Sequence, residues 1–299
     1  MKISAAIQEF LQYLQFEKRF SRHTVNAYSI DLYGFSEYLL KAFEVDKPGA
    51  VSPAIIRSWL ARLKDEGLES RTINRKISAL RSFYKFLKQQ GYTAQNPLKA
   101  IKALKTPSKI PSFLTEAEIS ALFTLLKDPV TWQDKLVALA IPLLYATGLR
   151  RSELLQLQIK NIDFHLNQLR VLGKGNKERL IPLQKQSLQG IREYLEIRQK
   201  EIGPYNAGAL LLCTEEGEPL AEKIFYNMVH EALGRVSTLE QRSPHILRHT
   251  FATHLANAGA DLNAVKELLG HNSLASTQVY THNTIEKLKN AHKQAHPRG

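Results

Sequence analysis

Several residues in the second half of the chain are of types that act on an anionic ester: Arg150, His245, Arg248, His271 and Tyr280. The planar fork of arginine matches the oxygens of a phosphate. Histidine exchanges a proton near neutral pH, and a phenol, with a pKa of about 10, becomes a nucleophile there only beside a proton acceptor and concentrated positive charge. Arg150 follows Ala146-Thr147-Gly148-Leu149, where Gly148 can end a buried helix and Ser152 with Glu153 can open the next, so the arginine would sit at a core-anchored turn. Arg248 stands three residues after His245, and both project from one side of a helix start. His271 follows Gly270 at a helix end, and Tyr280 lies in Thr277-Gln278-Val279-Tyr280-Thr281-His282. Singly each has a plainer reading: Arg150 as a helix-start surface residue, His271 as a loop histidine, Tyr280 as one of eleven tyrosines packing a core.

Other chemistries lack their residues. His245 and His249 have the spacing of zinc ligands on a helix, but Ile246 stands where a metalloprotease needs its glutamate and no third ligand is evident, so no metal is expected. Gly173-Lys174-Gly175 does not lead into a helix as a nucleotide-phosphate loop would, so ATP use is unsupported and no cofactor is expected. The acids of the second half are scattered, without the cluster of a two-metal nuclease. Cys213 is the single cysteine, which excludes a disulfide framework and fits a reducing, cytoplasmic location.

The elements that would hold these residues fall into two domains, as 299 residues with 43% hydrophobic content suggest. The expected division is a helical domain over 1–105, a linker over 106–114 and a second, mostly helical domain over 115–299. Helices are expected over 21–40, over 52–64 with Ser52 as cap and Pro53 at the first position, and over 71–88. Thr115 with Glu118 has the pattern of a capping box opening the second domain. A core helix over 134–145 follows, then a hairpin of 168–172 and 179–183 around a long basic turn, a third strand over 209–213, and helices over 222–233, 245–258, 263–269 and 285–294. The longest uncharged apolar run, 136–149, contains Pro142 and is shorter than the roughly 20 residues that cross a bilayer, and the N-terminus shows no signal-peptide pattern. No membrane partner is expected.

Charge is unevenly shared. The chain has 41 Lys and Arg against 28 Asp and Glu, a net +13, of which residues 1–110 hold 19 basic and 9 acidic side chains and residues 111–299 hold 22 and 19. No acidic residue lies between Glu69 and Glu116. On a helical wheel, Ile73, Ile77, Leu80, Phe83, Tyr84 and Leu87 share one arc and Arg71, Arg75, Arg81, Lys85 and Lys88 another, with only Lys76 on the apolar side. Such a helix could lie in a DNA groove or along its phosphates; the alternative is an ordinary solvated face.

Taken together and in order, the motifs resemble those of the tyrosine recombinase (phage integrase-like) family, and within it the Xer recombinases. The matching segments are Ala-Thr-Gly-Leu-Arg-x-Ser-Glu-Leu at 146–154, Gly-Lys-Gly-Asn-Lys-Glu-Arg at 173–179, Pro-His-x-Leu-Arg-His-Thr-Phe-Ala-Thr-His-Leu at 244–255, Leu-Leu-Gly-His at 268–271 and Tyr-Thr-His at 280–282. Residues 70–84 are similar to the family's core-binding domain, and the tail at 295–298 to Xer tails. The resemblance implies a mainly α fold: an N-terminal helical, SAM-like core-binding domain, then a mixed α/β, mostly helical catalytic domain with a small antiparallel sheet and a C-terminal helix that docks on a neighbouring protomer. It implies that Tyr280 attacks a scissile DNA phosphate to give a 3′-phosphotyrosine, that Arg150 and Arg248 bind the non-bridging oxygens, and that Lys174 protonates the departing 5′-oxygen. His245 would accept the tyrosine proton and His271 would hydrogen-bond the phosphate.

The implied activity is site-specific recombination without metal or ATP, resolving chromosome dimers at a double-stranded recombination site. The implied assembly is a homotetramer, or a heterotetramer with a paralogous Xer recombinase, and an FtsK-type DNA translocase is a further implied partner. A mobile-element integrase would share this chemistry. A type IB topoisomerase would relax supercoils without sequence preference, and a non-catalytic DNA-binding protein would form no covalent adduct.

Overall fold

A computed structural model describes residues 1–106, 112–173, 178–240 and 242–270, and the chain forms two compact units, Met1–Lys109 and Ile110–Gly299. In the first, apolar residues at helical spacing build four main helices. Helix α1 (Ile3–Gln12) buries Ile3, Ala6, Ile7 and Phe10 and runs into a π-helical turn at Tyr13–Glu17. Ser21 caps α2 (Arg22–Phe43), accepting from the Thr24 N–H at 3.3 Å. Ser52 caps α3 (Pro53–Asp65), accepting from the Ile55 N–H at 3.4 Å, with Pro53 at the first position, where its missing N–H leaves no bond unmade. Helix α4 (Ser70–Gln89) buries Ile73, Ile77, Leu80, Phe83, Tyr84 and Leu87 and turns its basic arc outward.

Lys76, the one cation on the apolar side of that wheel, is accommodated by a buried anion. Its Nζ lies 2.9 Å from a carboxylate oxygen of Asp31 and 5.8 Å from the centre of the Trp59 ring. Asp31 is only 1% exposed and also pairs with Arg75, so α2 and α4 are tied by one carboxylate and two cations.

The second unit opens as the capping-box pattern requires: the Thr115 N–H donates to Glu118 (2.8 Å) and the Glu118 N–H to the Thr115 hydroxyl (3.2 Å), starting α5 (Glu116–Leu125). Helix α6 (Trp132–Thr147) contains Pro142 and is the core helix, nearly all of its apolar side chains being buried. Then come α7 (Arg151–Leu155) and an antiparallel sheet of β1 (Ile162–Asp163), β2 (Gln168–Leu172) and β3 (Glu178–Pro182), in which Leu169 opposes Ile181 and Leu172 opposes Glu178. Helices α8 (Lys185–Glu201), α9 (Glu222–Gly234), α10 (Pro244–Asn257) and α11 (Leu262–Leu269) complete the described part.

Two expectations change and one helix is additional. The strand placed at 209–213 is absent; that segment makes two isolated bridges, Gln158 with Leu210 and Cys213 with Pro219, and the third strand is β1. The buried guanidinium of Arg198 donates to the carbonyls of Leu210 and Leu211. Helix α8 has no counterpart in the sequence reading, because only Leu188, Ile191, Tyr194 and Leu195 mark its buried stripe in an otherwise polar stretch. The start of α7 is capped by Arg150, whose own N–H goes to Glu153, and not by Ser152.

Residues 107–111 of the expected linker and the expected helix over 285–294 lie outside the described residues. Among the described residues no helix is long and apolar enough to cross a membrane.

Candidate active site

The turn between α6 and α7 is built around Gly148, whose φ of 62° is a left-handed conformation that ends α6. Two residues on, Arg150 caps α7. Its N–H donates to one oxygen of Glu153 (2.8 Å) and its Nη1 to the other (2.8 Å), while Nη2 reaches the carbonyl of Gly270 (3.0 Å). The Arg150 side chain keeps 30% of its surface open to solvent.

Helix α10 brings the second arginine. Pro244 starts the helix, His245 is exposed in its first turn, and Arg248 lies buried, with Nη1 on the Gly148 carbonyl (2.5 Å) and Nη2 on the Leu269 carbonyl (2.6 Å). Arg150 and Arg248 therefore meet at the backbone of two turns, 148–150 and 269–270. Burial lowers the Arg248 pKa, with Arg150 adding to the effect, to about 10, so it remains a cation at neutral pH. Loss of water, then the charges of Arg151, Arg248 and Arg150, hold His245 below the ordinary imidazole value, which keeps the ring neutral and able to take a proton.

A third arginine completes the cluster. Arg179, 7% exposed, lies on the buried side of β3, donating from Nε to the Leu268 carbonyl (2.9 Å) and from Nη1 and Nη2 to the two oxygens of Glu153 (2.9 and 2.7 Å). The carbonyls of Leu268, Leu269 and Gly270 thus each receive a different arginine. Burial alone would raise the Glu153 carboxyl, but hydrogen bonds from Arg179 and the Arg150 N–H, the Arg179 charge and a hydrogen bond from the Arg150 side chain hold it below the usual carboxylate value. Three guanidinium groups against one carboxylate leave a positive site suited to an anion.

Glu153 and Arg179 escaped the sequence reading as functional residues. The signal for Arg179 lies in the alternation of β3: Ile181 faces the core, so Arg179 does too, while Leu180 points out. Lys174, His271 and Tyr280 lie outside the described residues. Among the described residues no group of three or more His, Cys, Asp or Glu side chains could hold a metal.

On α4, Arg71, Arg75, Arg81, Lys85 and Lys88 are all exposed. Arg75 is engaged by Asp31 and the Ala27 carbonyl, and Arg81 by the Ile101 carbonyl (2.5 Å). Among the described residues the side chains of Arg71, Lys85 and Lys88 make no hydrogen bond or ion pair, which leaves their charge to solvent.

Residues 112–287 match the phage integrase family, and residues 7–91 the phage integrase N-terminal SAM-like domain. The tyrosine recombinase XerC of Bacillus pumilus is 37% identical over 97% of this chain and 95% of its own length, and that of Bacillus subtilis 35% identical over 98% and 96%. Among solved structures, the XerH site-specific recombinase in a post-cleavage complex with palindromic difH substrate is 26% identical with a TM-score of 0.71, over 90% of this chain and 77% of that one. The Tn1549 transposon integrase with circular-intermediate DNA, 21% identical with a TM-score of 0.72 over 96% and 94% of the chains, shares the fold.

Proposed function

The chain belongs to the phage integrase family and is a tyrosine recombinase, a DNA strand-exchange enzyme; on that premise we propose that Tyr280 is its nucleophile, working with Arg150, Lys174, His245, Arg248 and His271. The Tyr280 oxygen bonds to the scissile phosphorus as the bond to the 5′-oxygen breaks, leaving a 3′-phosphotyrosine and a free 5′-hydroxyl. His245 takes the phenol proton, and Lys174 supplies one to the departing oxygen. Arg150 and Arg248 neutralise the non-bridging oxygens as charge develops, and His271 hydrogen-bonds the phosphate. Attack by another 5′-hydroxyl on the stored ester rejoins the strand, so the energy of the broken bond is kept without ATP.

The observation that supports these roles most directly is the meeting of Arg150 and Arg248 beside a neutral His245. The open basic face of α4, with Arg71, Lys85 and Lys88 foremost, grips the duplex through its phosphates. The near full-length likeness to XerC proteins supports a cytoplasmic role in resolving chromosome dimers. The working assembly is a tetramer on two duplexes, of this chain alone or with a paralogous recombinase, and an FtsK-type translocase is its activating partner. The C-terminal residues after His282 link neighbouring protomers.

Incubation with a nicked duplex that traps the cleaved strand tests the chemistry. A covalent protein–DNA adduct should form and Tyr280→Phe should abolish it; an adduct that survives this substitution, or none on any chromosomal site, refutes the assignment.

A further inference from the structure

Of the three arginines on the carbonyls of 268–270, Arg179 is the one that grips a carboxylate with both terminal nitrogens while its Nε holds a carbonyl. It is 7% exposed, with Nε engaged by Leu268 and both terminal nitrogens by Glu153. Its charge is also matched by that carboxylate, so it adds little net field. Glu153 is shared: one oxygen accepts from Arg150 Nη1 and Arg179 Nη1, the other from the Arg150 N–H and Arg179 Nη2. The orientation of the carboxylate, and through it the Arg150 fork, depends on where Arg179 holds it. Arg179 also packs on Gly270, where a Cβ would come within 3.3 Å of its Nη1.

We propose that Arg179 is a positioning residue for strand cleavage, setting Arg150 through the Glu153 carboxylate and holding the end of α11 through the Leu268 carbonyl. The inference rests on the phosphate-binding role of Arg150 given above. Because β3 begins four residues after Lys174 in the chain and α11 ends two residues before His271, the same side chain ties together the two elements next to those residues. Lysine cannot replace it, since a single ammonium cannot span a carbonyl and both carboxylate oxygens as a planar fork does.

The test is single-turnover adduct formation on a nicked duplex, its sequence chosen by selecting bound duplexes from a random pool, with DNA affinity measured in parallel. Arg179→Lys keeps the charge and should slow adduct formation at saturating DNA by about 100-fold, the scale of loss for a catalytic group displaced by about 1 Å, with affinity unchanged. In an Arg150→Ala background the same substitution should cost far less, because the group it positions is gone. The pair Glu153→Gln with Arg179→Gln removes one buried charge of each sign, so the net charge of the site is kept, and should slow the reaction comparably; it carries the test if Arg179→Lys does not fold. A wild-type rate in a folded variant, or affinity falling in step with rate, overturns the positioning role. Failure of the unaltered chain to form any adduct overturns the underlying reading instead.

Discussion

Replacing Gly148 by alanine should damage both stability and cleavage, by amounts the structure allows to be separated. An added Cβ would lie 2.6 Å from Leu269 Cδ2, 2.6 Å from Phe251 Cδ1 and 2.8 Å from Phe251 Cε1, and the residue has a φ of 62°. The left-handed conformation costs a residue with a Cβ about 1–2 kcal/mol, and displacing two core side chains about 1–3 kcal/mol more. Gly259→Ala is the matched control in the same unit, because its φ is 82° but nothing lies within 4 Å of its Cβ position, so only the backbone cost applies. At about 2–4 °C per kcal/mol for a unit of this size, Gly148→Ala should melt about 2–12 °C below Gly259→Ala. The functional loss should exceed what melting explains. The Gly148 and Leu269 carbonyls are both acceptors for Arg248 (2.5 and 2.6 Å), and relieving the clash moves one or both. Below the melting range of both variants, adduct formation should fall about 100-fold for Gly148→Ala and little for Gly259→Ala. Equal melting of the two, or a folded Gly148→Ala chain that cleaves at the normal rate, would refute the claim that close approach at this turn positions Arg248.

With His245 as the proposed proton acceptor, the pH profile of adduct formation should rise along a limb with its midpoint below 6.5, because the ring must be neutral to act and its surroundings lower its pKa. Arg151→Gln removes one of the charges that lower it and should move that limb upward. Asp31→Asn, by leaving Arg75 and Lys76 without their buried anion, should lower the unfolding free energy in urea toward the lower end of about 3–5 kcal/mol, since the Arg75 side chain is already 43% exposed. Converting Arg71, Lys85 and Lys88 to Gln should reduce the slope of log affinity against log salt by about 0.9 for each DNA phosphate that these cations neutralise; an unchanged slope would place the DNA elsewhere than on this face.

Local features were legible in the sequence because both partners of each interaction lie within a turn of one another. The Ser52 and Thr115 caps, the Gly148 stop and the division of α4 into apolar and basic arcs all follow from residues three or four positions apart. Where the deciding partner was distant, the reading failed or stayed silent. The 209–213 segment has strand-forming residues, yet its carbonyls go to distant partners, those of Leu210 and Leu211 to Arg198 of α8 and that of Cys213 to Trp132 of α6. Ser152 is a better capping residue than arginine, yet the helix opens one residue earlier, where Glu153 accepts from the Arg150 N–H and is also held by Arg179 of β3.

The sequence alone determined which side chains could do the chemistry, their order, and the two helical domains that carry them, since residue type and short-range periodicity are properties of the chain. Only the tertiary structure decided which cations meet. Arg150, Arg179 and Arg248 have similar charge and reach, and nothing in their spacing says which of them is buried and which stays partly in water. That division comes from packing: Arg179 lies on the inward side of β3 with Glu153 and Leu268 as its partners, while Arg150 sits at a helix start with part of its side chain still in water.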